Sequence, residues 1–118
     1  KNLLIGVKKK LKKNKNFSFN VIYAPGVFEI PFIISKNIKK YDAFVSLGCV
    51  IKGQTPHFDF ISKAAIEGIM HLSILHHKPI GNGILTCLNL TQALVRSNPK
   101  KKDKGGEAVK ATLSLLKV

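Results

Sequence analysis

His57, Arg96, Lys104 and Glu29 are the side chains in this sequence best suited to chemistry, and each stands beside a turn. The run from Gly48 to Asp59, G-C-V-I-K-G-Q-T-P-H-F-D, takes an apolar stretch into a polar loop and then into a helix start. Thr55 and Pro56 read as an N-cap followed by the first helical residue, which puts His57 in the first turn. Unpaired N–H groups and the helix dipole attract an anion at such a terminus. The same positive end favours a neutral imidazole, the form a general base needs. A surface histidine at a helix start is the competing reading. His71, His76 and His77 lack the spaced ligand set of a metal site, and no metal is expected. His76-His77-Lys78 instead suits the negative end of a helix.

Arg96 is the only arginine beside nineteen lysines. In a chain that uses lysine almost everywhere, it points to planar, two-pronged recognition of phosphate or carboxylate. A chance survivor would look the same. Lys104, next to Gly105-Gly106, could add charge to the same anion or be a solvated loop lysine. Glu29 follows Pro25-Gly26 in a first helical turn, where it could accept hydrogen bonds from a ligand or complement the dipole. Phe28 could stack on a planar ring or fill the core. Asp59 could orient a polar group or favour its helix N-terminus. Cys49 and Cys87 lie in apolar runs and read as two small buried hydrophobes in a reducing, cytoplasmic compartment.

The elements that must position these residues follow from periodicity. Residues 1–13 place Leu3, Leu4, Val7 and Leu11 on one helical face. Phe17, Phe19, Val21 and Tyr23 alternate as in a strand. A helix is expected over 27–40, with Pro31 tolerated in its first turn. Residues 43–51 are apolar on both faces, as in a central parallel strand. A long helix over 57–77, a strand over 80–86, a short helix over 90–97, a basic loop over 98–106 and a last helix over 107–116 complete the order. Such alternation gives an α/β fold, a three-layer α/β/α sandwich around a parallel sheet. Opening on a helix is unusual for it. A strand before Lys1 would complete a four-stranded sheet, so the pattern reads as a single domain over 1–118 with that first strand missing. Ligands in open α/β sheets sit beyond the carboxyl ends of the strands, where 25–29, 48–59 and 86–96 fall.

At 118 residues and 45% hydrophobic content the chain can bury one core. No run of about 18 apolar residues suggests a membrane span. The formal charge of +14 raises a nucleic-acid hypothesis. Aromatics are not interleaved with the lysine runs 8–13 and 100–104, which read as solvated surface typical of AT-rich coding.

Three segments together resemble the lumazine synthase family: A-P-G-V-F-E-I-P at 24–31, L-G-C-V-I-K-G-Q-T-P-H-F-D at 47–59, and G-I-L-T with Q-A-L-V-R and D-K-G between 83 and 105. The resemblance runs from Leu3 to about Leu116. It implies a cofactor-free condensation of 5-amino-6-(D-ribitylamino)uracil with 3,4-dihydroxy-2-butanone 4-phosphate in riboflavin biosynthesis. It further implies that Val27, Phe28, Glu29, Cys49, Val50, Ile51 and Asn82 contact the pyrimidine. Gln54, Thr55, Arg96 and Lys104 would hold the phosphate, and His57 would be the acid/base. The family forms homopentamers, some assembled into icosahedral shells, with a site shared between adjacent subunits. Three departures stand out. A Phe-Asn pair ending the family's first strand is absent, Asn82 stands where phenylalanine is usual, and Val95 replaces an acidic residue. They keep two alternatives in view, a catalytically weakened shell protein and a basic nucleic-acid-binding module.

Overall fold

A computed structural model describes residues 1–13, 17–53 and 56–117. The helices are α1 (Asn2–Lys12), α2 (Ile30–Lys36), α3 (His57–His76), α4 (Leu90–Ser97) and α5 (Lys104–Leu116). Two strands, β1 (Phe44–Ile51) and β2 (Ile80–Cys87), lie between them in chain order. The strands pair in parallel, Phe44 opposite Ile80 through Ile51 opposite Cys87. Side chains alternate across this pair. Ile84, with Phe44 and Ile80 beside it, packs on Ile34 and Ile38 and on Ala65 and Ile69 of α3. Leu85 and Cys87, with Leu47 beside them, pack on Leu3 of α1 and Ala93 of α4. Helices therefore cover both faces, and the expected α/β layering holds.

The sheet has two strands among the described residues, whereas alternation at 17–23 predicts a further one. That segment forms no strand. Phe17, Phe19, Val21, Ile22 and Tyr23 are all exposed, Tyr23 at 80%. A strand is stabilised by pairing, and a period-two pattern supplies the side chains but not the partner. Its described tie is a hydrogen bond from Asn20 Nδ2 to the Tyr41 hydroxyl at 3.0 Å.

The helix expected over 27–40 is shorter and starts differently. Val27–Glu29 forms a 3-10 turn, and α2 then runs only to Lys36, with Pro31 in its first turn. Asn37 ends it by donating its side-chain amide to Ile33 O at 2.8 Å, a local bond that competes with further helix. Conversely α5 begins at Lys104, not Glu107, because Asp103 caps it. Gly105 and Gly106, expected in a loop, are buried in its first turn. At Gly105 a Cβ would lie 3.2 Å from Leu3 Cα and 3.1 Å from Leu3 C, so α1 and α5 meet backbone to backbone there. At Gly81 a Cβ would lie 2.6 Å from Ala108 O, which sets how closely α5 approaches β2.

His77, with φ 54°, ends α3 in the left-handed region. The expected cation at that end is present but serves elsewhere. Lys78 Nζ donates to the carbonyls of Ile38 and Tyr41, and Ser73 Oγ donates to Lys78 O at 2.7 Å. This ties the end of α3 to the chain entering β1.

Candidate functional site

Both strands deliver their carboxyl ends to the same side of the molecule. Burial along β1 falls off in that direction, so Cys49 and Ile51 are exposed. Cys49 is thus not the buried hydrophobe its apolar surroundings suggest, whereas Cys87 is fully buried. Partial burial, together with the neighbouring Cys87, pushes the Cys49 thiol above its ordinary range. Cys49 is therefore a thiol rather than a thiolate at neutral pH, suited to contact and not to nucleophilic attack. Iodoacetamide at pH 7 is expected to modify it more slowly than a free cysteine, with the rate climbing only in the alkaline range. Modification at the rate of free cysteine would contradict this.

His57 opens α3 and is exposed, as expected. Pro56, however, sits at the N-cap position with φ −70° and ψ 1° and makes no side-chain cap. The helix starts one residue later than the capping pattern suggests. Thr55, the expected cap, and Gln54 lie outside the described residues. Asp59 is in the first turn of α3, where its charge complements the dipole. It also lines a second, apolar cavity of about 510 Å³ with Phe58, Ser62, Lys63, Ile66, Glu67 and Thr86. In that cavity the Ser62 hydroxyl is buried with no hydrogen-bond partner among the described residues.

Val27, Phe28 and Glu29 form the 3-10 turn that packs beside β1 and α3. Val27 meets the sheet at Gly48, where an added Cβ would come within 2.7 Å of its Cγ2. Phe28 is exposed, which favours a surface role over core filling. Glu29 is half-buried.

The clearest convergence is on the outer side of β2. Asn82, Ile84, Leu85, Thr86, Arg96, Lys102 and Lys104 line a cavity of about 450 Å³. Arg96 reaches it because α4 is well capped. Asn89 Oδ1 accepts from Gln92 N at 2.9 Å, and Gln92 Oε1 accepts from Leu88 N at 2.9 Å, close to a reciprocal capping box. Two turns on, Arg96 Nη1 donates to Thr86 O at 3.2 Å and contacts Cys87 Sγ at 3.7 Å. These contacts hold the guanidinium against the strand while other N–H groups stay available, since it carries five. Lys104 forms an ion pair with Glu107 at 3.1 Å. Asn82 Oδ1 accepts from Ile84 N at 3.0 Å.

The structure thus brings Asn82, Arg96 and Lys104 together. None of Val27, Phe28, Glu29, Cys49, Val50, Ile51 or His57 lines that cavity. Lys102 and Thr86 are additions that residue type alone does not reveal. Lys102 is one of three consecutive lysines, and what distinguishes it is the bend that follows it. No group of three or more His, Cys, Asp or Glu side chains forms a metal site among the described residues. No helix among them is long and apolar enough to cross a membrane.

Comparison with known proteins bears on this arrangement. The family model for 6,7-dimethyl-8-ribityllumazine synthase matches residues 1–118. The 6,7-dimethyl-8-ribityllumazine synthase of Novosphingobium aromaticivorans is 46% identical over 116 residues, 97% of this chain and 82% of the relative. That of Sphingopyxis alaskensis is 44% identical over 116 residues, 97% of this chain and 81% of its own. That of Sulfurimonas denitrificans is 43% identical over 97 residues, 80% of this chain and 63% of its own length. A match over the whole chain does not favour the nucleic-acid reading of the charge. The outcome is the family that the three sequence segments resemble: the chain belongs to the 6,7-dimethyl-8-ribityllumazine synthase family, the transferases of riboflavin biosynthesis.

Proposed function

We propose a division of labour for this transferase, in which one chain offers two halves of a site that is completed between adjacent copies. In the reaction the amine of 5-amino-6-(D-ribitylamino)uracil forms an imine with the ketone of 3,4-dihydroxy-2-butanone 4-phosphate. Phosphate then leaves, the ring closes and water is lost, giving 6,7-dimethyl-8-ribityllumazine. Val27, Phe28, Glu29, Cys49, Val50 and Ile51 form the pyrimidine half, with His57 beside it as the group that moves protons. Arg96 and Lys104 form the phosphate half, with Asn82 at its edge supplying the pyrimidine contact from the neighbouring copy. Gln54 and Thr55 complete the phosphate contacts at the start of α3.

The observation that carries this reading is the separation itself: among the described residues, none of the pyrimidine half lines the cavity around Arg96. A second copy would bring the halves together, which a homopentamer does for every copy at once. Assembly of pentamers into an icosahedral shell is the further step. Phe28, Phe32, Phe60, Met70 and Ile74 are exposed and apolar, the kind of surface that association covers.

The direct test is to mix the two substrates and follow lumazine fluorescence. Absence of product would overturn the reading and favour a protein whose catalysis has decayed. Within it, Arg96→Lys should raise KM for the phosphorylated ketone about tenfold, the loss of one charge-assisted hydrogen bond, with kcat little changed. An unaltered KM would remove Arg96 from the phosphate half.

A further inference from the structure

We propose that Lys102 is a third phosphate-holding cation, which makes the cavity selective for a dianion. The inference rests on reading the Arg96 cavity as the phosphate half-site, and it adds a residue that the family resemblance does not supply. Three consecutive lysines, Lys100, Lys101 and Lys102, follow α4, yet only Lys102 lines the cavity. Its position is set by backbone bonds. Lys102 N–H donates to Val95 O at 3.3 Å, and Asp103 N–H donates to Asn98 O at 3.0 Å, folding the segment back onto the end of α4.

Asp103 then bends the chain sharply, with φ 46° and ψ 54°, a left-handed conformation unusual for a residue other than glycine. Its carboxylate accepts from Gly106 N at 3.2 Å, which holds the bend in place. Lys102 and Lys104 flank this bend, and both line the cavity together with Arg96.

Charge matching gives the ligand class. Three cations line the cavity and no acidic residue does, among the described residues. Lys104 is paired with Glu107, so three positive charges less one paired leaves two uncompensated. A phosphate monoester near neutral pH carries about −1.5 to −2. Inorganic phosphate, the leaving group, has similar charge, so the same cluster should hold substrate and product. A carboxylate would leave one positive charge unmatched.

The experiment compares Lys102→Ala with Lys101→Ala, which removes the same charge one residue away from an exposed lysine outside the cavity. Binding of inorganic phosphate to the assembled protein is measured by calorimetry at low salt, and KM for each substrate by lumazine fluorescence. Lys102→Ala should weaken phosphate binding and raise KM for the phosphorylated ketone by about three- to tenfold, the range for a partly exposed ionic contact. KM for the uracil substrate should stay the same, and Lys101→Ala should change each value less than twofold. Equal effects of the two substitutions would overturn the proposal. If the unaltered protein bound phosphate but made no lumazine, the reaction reading would fail, and the phosphate titration would still decide the role of Lys102.

Discussion

Replacing His57 with alanine is expected to slow lumazine formation by roughly 10²–10⁴-fold, the usual worth of a positioned proton-transfer group. The loss should fall on kcat. In the proposed division of labour Arg96 is the main anchor of the phosphate, and His57 does not line its cavity, so KM for the phosphorylated ketone should change less than kcat. Folding should survive the substitution, because the side chain is exposed in the first turn of α3 and its loss opens no cavity in the core. A melting curve alongside the assay separates the two effects. Turnover equal to that of the parent would show that His57 moves no proton in the rate-limiting step.

The largest expected effect on stability is at Gly105. A side chain there points into the backbone of Leu3, which is buried on α1 and cannot swing away as a flexible side chain could. Gly105→Val must therefore push α1 off α5. Overpacking of this kind costs about 1–3 kcal/mol. Relief of the helix-propensity penalty of glycine returns less than about 1 kcal/mol. The net loss should be about 1.5 kcal/mol, which at about 4–8 °C per kcal/mol is a fall in Tm of roughly 6–12 °C. Gly53→Val is the control, since nothing among the described residues lies within 4 Å of a Cβ there. Equal melting temperatures for the two variants would refute the account. Because Lys104 adjoins Gly105, the first variant should also raise KM for the phosphorylated ketone.

Much of this architecture is legible in the sequence, for reasons that differ from element to element. The helix over 1–13, the strands over 43–51 and 80–86, and the helices over 57–77 and 90–97 agree with α1, β1, β2, α3 and α4 to within one or two residues. The strands are apolar runs that pack on both faces, and the helices turn part of their apolar side inward, Leu3 and Val7 in α1, Ala65 and Ile69 in α3 and Ala93 in α4. Residues 17–23 carry an equally clear period and form no strand, because alternation describes a strand's faces and says nothing about its edges. The early start of α5 was hidden by Gly105-Gly106. Two adjacent glycines read as a loop until the close approach of α1 supplies a reason for their smallness.

The site divides in the same way. Arg96 stands out by composition, and the structure gives it a fixed seat on Thr86 O. Lys102 resembles Lys100 and Lys101 in every respect a sequence records. It is singled out by a left-handed aspartate, and Asp103 is one of only two non-glycine residues with positive φ among those described.

The hydrogen bonds along β2 also give the sheet a direction of growth. Pro79 and Cys87 turn their carbonyls towards the β1 side, accepting from Phe44 N–H at 3.0 Å and Lys52 N–H at 2.8 Å. Residues of the other parity, Ile84 and Thr86 among them, therefore present their backbone groups to the outside. Two of these sites are already filled, Ile84 N–H by the Asn82 side chain and Thr86 O by Arg96. Another strand approaching from that side would find the edge plugged. The far edge of β1 has no such plugs among the described residues, and no strand there pairs with it. Accretion, whether productive pairing or misassembly during folding, is thereby channelled to one flank, away from the Arg96 cavity. A substitution at Arg96 would then act on more than the proposed anion contact: it would reopen one of the two blocked positions on that edge.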